Sequence, residues 1–355
     1  MAIDWTKPMS QTYEFYEVDP GTWQDVRRLD QIQSCSFSRD YEADTLGSGS
    51  VSTTENLEEM YFRAYMIAKQ NSNNYKVPLG TLLVQTPSEK FDGKNVSINL
   101  DAYTPLIELK ETSPALGYSI LKRNNILNTA YRLVCEHVRA PVIKPDVVNS
   151  KLLESDFVAE SDDTWLSFIS DLLAVNDYFL ELNEMGEIFF AKYQDTPSLQ
   201  PAWTYDDDNS SILLPSIELQ RDLYGIPNVV EVIYSGDDAN LYSKIVNDDP
   251  NSPISTVNRG REILHRDTSP SITGTPTQDM LDDYASKLLR SLSTLEYTVS
   301  YSHGYTPILI GKCVRLNYRK ANIKDTKVKI LTQSFDCSTG CTVSETALFT
   351  NKLWG

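Results

Sequence analysis

A catalytic reading of this chain has to begin with its 3 histidines, 5 cysteines and 49 acidic residues. His137, His265 and His303 stand far apart, so no HExxH-type zinc pair exists. There is no Gly-x-Ser-x-Gly elbow, no Walker loop and no GxGxxG turn. Cys35, Cys135, Cys313, Cys337 and Cys341 are odd in number and scattered, which argues against a disulfide framework. Cys337-Ser-Thr-Gly-Cys341 offers half of a zinc site, but a structural zinc needs four ligands. It reads instead as two small residues flanking a glycine turn. Asp206 to Asp208, Asp237-Asp238 and Asp248-Asp249 are oxygen-rich but lack the ligand spacing of a calcium loop, and read as solvated turns. His303, in Tyr301-Ser-His-Gly-Tyr305, reads as a turn histidine. No catalytic, cofactor-binding or metal-binding residue is assigned, and no cofactor is expected. A glycosidase needs only two carboxylates placed by the fold, and so many acids leave that open.

The stretch from Asn228 to Asp267 must position whatever else the chain does. Val229, Val230, Val232 and Ile233 predict a strand between Pro227 and Ser235-Gly236. Gly236-Asp237-Asp238 turns the chain into a second extended piece, Tyr242 to Val246. Asn247 to Pro253 is too rich in Asn, Asp and Pro for helix or central strand. Ile254 to Arg261 then reads as a short strand closed by Gly260 between two guanidinium groups, where a β-branched side chain would clash if φ is positive. Arg259 and Arg261 suit a carboxylate across a subunit contact better than phosphate, because the protein is acidic. Asp249, Pro250, Pro253, Arg259, Gly260 and Arg261 are therefore the structural or interface candidates.

Residues 1 to about 111 predict several short strands with turn signals, including Gln31 to Arg39 and Val96 to Tyr103. Gln70 to Asn74 and Phe91 to Lys94 read as hairpin turns, and Gly47 to Ser50 as a flexible loop. From 112 the pattern changes. Asn124 to Arg139 is helical, and Ser161-Asp162-Asp163 signals the start of a second helix carrying Trp165, Phe168, Ile169, Leu172 and Leu173. Tyr178 to Leu182 and Ile188 to Ala191 follow as a hairpin around Asn183 to Gly186. The last third returns to strands, with one helix expected at 276–294 behind a Thr275-Pro276-Thr277-Gln278 capping box.

The 355 residues carry a net charge of −17. Within 141–220 there are 3 Lys/Arg against 16 Asp/Glu, whereas 241–355 is slightly basic. An acidic surface repels nucleic acid rather than binding it. No apolar run approaches the roughly 18 residues of a membrane span. The N-terminus shows no secretory signal, so synthesis in a cytoplasm and no stable membrane insertion are expected.

Three features together resemble the baseplate or tail-tip hub proteins of phage tails and phage-like contractile particles. One is the strand, Ser-Gly turn, Asp-Pro loop and Gly-Arg order ending in Pro253-Ile-Ser-Thr-Val-Asn-Arg-Gly-Arg261. Another is Trp165-Leu-Ser-Phe-Ile-Ser-Asp-Leu-Leu-Ala followed by Tyr178-Phe-Leu-Glu-Leu-Asn-Glu-Met-Gly-Glu-Ile-Phe-Phe. The third is the order of β module, α+β insertion and return to β. The resemblance implies a mainly β fold: two tail-tube-like β-barrel or sandwich modules plus a peripheral α+β domain. The first module would be 1–111 with strands from about 212–240, the insertion 112–211, and the second module 241–355. It further implies a homotrimer forming a pseudo-sixfold ring in the virion tail. That ring would join a tail-tube or distal tail protein to a spike or fibre, and tape-measure protein and DNA would pass through it. The chain ends soon after the second module, so no lytic extension is expected. Asp40, Glu42, Asp44, Glu89, Asp92 and Asp101 are the candidates for an acidic channel wall. The competing readings are a cell-wall glycan hydrolase with an unmarked carboxylate pair and a host-surface binding module.

Overall fold

Alternating side chains set out the first strands of the computed structural model: β1 (Ser10–Val18), β2 (Asp25–Arg28), β3 (Ile32–Asp40), β4 (Gly47–Thr53), β5 (Met60–Gln70), β6 (Asn73–Asp92) and β7 (Asn95–Tyr103). A helical segment follows with α1 (Ile107–Glu111), β8 (Ser119–Ile120), α2 (Ile126–His137), β9 (Phe157–Val158), α3 (Trp165–Ala174), β10 (Tyr178–Leu182) and β11 (Ile188–Lys192). Then come β12 (Trp203–Tyr205), β13 (Leu213–Arg221), β14 (Val229–Ser235), β15 (Asn240–Val246), α4 (Thr256–Arg259), β16 (Leu264–Asp267) and α5 (Gln278–Leu292). The chain finishes with β17 (Thr294–Gly304), β18 (Cys313–Tyr318), β19 (Ile323–Asp336) and β20 (Thr342–Lys352). The structure describes residues 3–352 apart from 56, 94, 149, 195, 222, 236–239 and 271–276. The expected Gly236-Asp237-Asp238 turn and the Thr275-Pro276 start of the capping box lie outside the described residues. The fold is mainly β with an α+β segment, as expected.

One sheet runs in the order β13-β17-β20-β19-β3-β4-β7-β6-β5-β1-β2, and β12 and β18 join it through β19. Two compact units result, one of Met1–Ile217 with Ser300–Ala347 and the other of Glu218–Val299 with Leu348–Gly355. Within the first unit β19 pairs in register with β3, Phe335 opposite Phe37, so residues from both ends of the chain meet. Their rings stack at 5.1 Å. The 112–211 segment falls within the first unit as well.

In the first unit β5 and residues 79–84 of β6 are buried on both faces, which explains why β5 is mostly apolar apart from Arg63. Tyr61 and Leu83 face a core shared with Leu127, Phe168 and Ile169 of the helices. Phe62, Met66 and Leu82 face the other core, with Phe37 and Leu100. The β5–β6 hairpin turns on Asn71 and Ser72, both at positive φ, as the two-residue turn requires. In the second unit β15-β14-β16 form a small sheet on which Leu281, Ala285 and Leu289 of α5 bury Val230 and Val232.

Gly47 to Ser50 is no loop. It opens β4, which pairs with β3 from Ile32 to Arg39. Gly47 lies at φ +142°, and a Cβ there would overlap the Ser38 carbonyl. The glycines permit a close approach of two backbones, the role of glycine in a tightly packed strand. The expected strand over 254–261 is instead α4. The Ser255 side chain accepts from Asn258 N, and Gly260 closes the turn at φ 62°. The helix expected from 276 begins at Gln278, capped by Thr277.

Candidate functional site

Three asparagines hold the 228–261 stretch together. Asn228 is fully buried; its amide donates to the carbonyls of Ile254 and Arg261, each at 3.0 Å, and its oxygen accepts from Ile263 N at 2.7 Å. Asn247, also fully buried, donates to the Ser252 hydroxyl at 2.9 Å. Asn258 donates to the carbonyls of Pro250 and Ser252, each at 2.8 Å. A loop that satisfies its own buried groups in this way is fixed without a ligand. Of the interface candidates, Asp249 closes an Asx turn on Asn251 N, and Pro253 is exposed. Arg259 donates to the carbonyls of Ile226 and Leu223 at 2.8 and 3.0 Å. Its guanidinium thus braces the chain, while the Arg261 side chain is exposed. In sequence Asn247 reads as part of a loop and Asn258 as part of a short strand; the burial of Asn228 and Asn247 gave no local signal.

His303 is buried within β17, not placed in a turn. Its Nδ1 stands 2.7 Å from the Gly304 carbonyl, which only accepts, so this nitrogen carries the proton. Nε2 lies 3.2 Å from Glu345 Oε1 and 3.1 Å from the Tyr205 hydroxyl. Gln333 donates to Glu345 at 2.6 Å and to the Ile308 carbonyl at 2.7 Å, and accepts from Arg39 at 3.0 Å. Burial, then the Glu345 charge, pushes the Tyr205 and Tyr301 phenols above their ordinary range. A histidine and a carboxylate in contact resemble acid–base machinery. These two are fully enclosed, however, and line none of the clefts described below. The network ties β12, β17, β19 and β20 to one another.

No cleft holds two unpaired acids among the described residues; in the one lined by Glu181 and Glu184, Lys312 pairs with Glu181 at 2.7 Å. A hollow of about 410 Å³ collects Glu108, Glu111, Glu136 and His137. Glu108 pairs with Arg139, Glu136 with Arg132 at 2.8 Å, and Glu111 accepts from Gln85 at 2.9 Å. His137 stacks on Trp165 at 4.1 Å, and burial lowers its pKa. A groove of about 540 Å³ is mostly aromatic and apolar, with Tyr41, Leu166, Tyr178, Phe179 and Tyr193. Its acids, Asp44 and Asp177, pair with Lys110 and Lys151. Among the described residues no three His, Cys, Asp or Glu stand close enough to hold a metal. Cys337 N donates to the Cys35 carbonyl, and burial pushes the Cys341 thiol up to about 12. Neither cysteine is disulfide-bonded.

The channel candidates scatter. Asp40 ends β3 half-buried and accepts from Glu42 N at 2.9 Å. Glu42 and Asp44 are exposed in the turn after it. Asp101 is exposed on β7, between buried Leu100 and Ala102 and opposite Ser50. For Glu89 and Asp92 only the β6 register is described, opposite Ile98 and Asn95. The polar face that Asp101 shares with its serine neighbours was missed in sequence, because serine spacing carries meaning only once strands are paired.

No protein-family model matches the sequence, and no curated protein matches it significantly. Solved structures do. The tail protein of Neisseria meningitidis MC58 is similar over 96% of each chain, at 13% identity and a TM-score of 0.59. The 43 kDa tail protein of prophage MuSo2 from Shewanella oneidensis is similar over 94% of this chain and 97% of its own, at 11% identity and a TM-score of 0.61. A chain of the Francisella PdpA-VgrG complex is similar over 96% of this chain but 58% of its own, at 10% identity and a TM-score of 0.57. The fold is that of phage tail proteins, and the resemblance read from the sequence holds at that level.

Proposed function

We propose that the chain is a structural hub of a phage tail tip or baseplate. The observation that carries this reading is likeness over nearly the full length of two tail proteins, in both directions. Three copies form a ring in the virion tail. The ring joins the tail tube or distal tail protein to a spike or fibre and leaves a channel for tape-measure protein and DNA. The asparagine-braced loop around Asn228, Asn247 and Asn258, an enclosed His303–Glu345 pair and ion-paired cleft acids fit a structural part better than a hydrolase. Asp249, Pro250, Pro253 and Arg261 remain the proposed subunit-contact residues. Arg259 and Gly260 shape that loop from within. Of the channel acids, Asp40 and Asp101 are the strongest.

Co-expression with the tail-tube protein of the same particle, followed by affinity capture, tests the joining role. Capture of a tube ring on the hub supports it. Peptidoglycan fragments released by the hub alone, and lost in Glu108→Gln, would replace it with the hydrolase reading.

A further inference from the structure

The outward positions of six adjacent strands in the first unit carry hydroxyl groups. The strands are β17, β20, β19, β3, β4 and β7. Ser302, Ser344, Ser334, Ser36 and Ser50 are examples, each flanked along its strand by residues that turn to the core. The hydroxyls pair across strands. Ser36 meets Ser50 at 2.8 Å, Ser302 meets Ser344 at 3.0 Å, and Ser300 meets Thr346 at 3.1 Å. Among the described outward residues here, from Thr332 to Asp336 on β19 and from Asn99 to Tyr103 on β7, the charges are Asp40, Asp101 and Asp336. No Lys or Arg is among them.

Two ordinary explanations fit poorly. A solvated outer surface carries charge at about a quarter to a third of its positions, with both signs mixed. A subunit contact is enriched in aromatic residues and Arg and depleted in Ser. This face has the opposite composition on both counts. It suits a surface that must stay wet and hold nothing. Each phosphate neutralised by a cation makes binding steeper in salt by roughly 0.9 in the logarithmic slope. A neutral hydroxyl adds no such term. The sparse carboxylates repel a polyanion over about 8 Å at physiological salt.

We propose that this hydroxyl face is the channel wall along which DNA slides, a wall that is neutral with few acids rather than densely acidic. The inference rests on the hub reading above. The test uses the full chain assembled into its ring, in a Cys135→Ser background that removes the exposed thiol. A single cysteine is placed at Ser50→Cys on the face, or at Asn128→Cys on the exposed side of α2 as an outer control. A small maleimide and a maleimide carried on a folded protein are compared, before and after assembly. The expected result is that the ring admits the small reagent at both positions and the large one only at 128. Position 50 labelled by the large reagent in the ring would put the face outside and overturn the inference while leaving the hub intact. Position 50 closed to both reagents would make the face a subunit contact, with the same consequence. A chain that forms no ring would remove the hub reading and this inference together. In a second measurement, a short DNA duplex should pass the ring unretained, and Ser50→Lys should retain it with salt-dependent strength. Equal retention by the unsubstituted ring would overturn the sliding wall.

Discussion

Arg63 is 1% exposed, and its guanidinium is spent on three elements. It pairs with Asp25 at 2.8 Å, donates to the Thr81 hydroxyl at 2.8 Å, and reaches the Met185 carbonyl at 3.1 Å. Trp23 donates to the same carbonyl at 2.8 Å. The β10–β11 turn is thereby pinned to the first strands, and Gly186 makes the approach possible. A Cβ there would come 2.8 Å from that of Thr81, at φ 76°. Removing one partner of a buried pair costs about 3 kcal/mol. Arg63→Ala should therefore lower the urea midpoint by that equivalent without changing the slope. A loss within a few tenths of a kcal/mol of zero would show that the turn is held by other contacts. Gly47 and Gly260 make a second comparison. Both lie at positive φ, but only Gly47 meets backbone, while a side chain at Gly260 enters open space. Gly260→Val should cost about 1–2 kcal/mol for the left-handed conformation alone. Gly47→Val should cost more, because β3 must move. If melting ranks the two the other way, the account of the β3–β4 contact is wrong.

At the scale of elements, buried phenols couple the strands to pH. Tyr61, Tyr205, Tyr301 and Tyr305 are buried, and burial raises each above its ordinary value near 10. A raised folded pKa means the neutral phenol is preferred in the fold. The stabilisation is fully present below about pH 10 and falls as pH rises beyond it, when the unfolded chain ionises first. Stability should be flat in this term through neutral pH, with the absorbance of these phenolates appearing together with unfolding. Phenolate absorbance completed at ordinary pH with circular dichroism unchanged would contradict the burial of these rings. Elements with local signals were legible in sequence. β3 and β7 alternate, β14 is β-branched, and the Asn71–Ser72 and Gly93 turns announce their hairpins. α4 was hidden because Ile254 to Val257 looks like a strand, and the Ser255 cap with the buried asparagines overrides that propensity. β4 was hidden because its glycines look flexible until β3 lies beside them. Pairing of β19 with β3 joins residues from opposite ends of the chain, and no local pattern marks it. The buried His303–Glu345 contact joins the neighbouring strands β17 and β20, and no local pattern marks which strands will be neighbours.

For the whole molecule, the sequence resemblance carried the fold, and the charge balance pointed to a surface that does not hold nucleic acid. On the wall proposed above, that second property rests on a neutral hydroxyl face bearing few acids rather than on clustered acids. A hub made this way should not bind duplex DNA appreciably at physiological salt, and fluorescence anisotropy with a labelled duplex measures it directly. Tight, salt-sensitive binding would show cations gathered where none is described on the face. The central claim is assembly into a ring. Native mass spectrometry of the purified full chain, with electron microscopy of the same sample, reads it most directly. The account predicts a species of three times the chain mass that images as a closed ring with an open centre. A monomer at every concentration, or a closed dimer without a central opening, would contradict it.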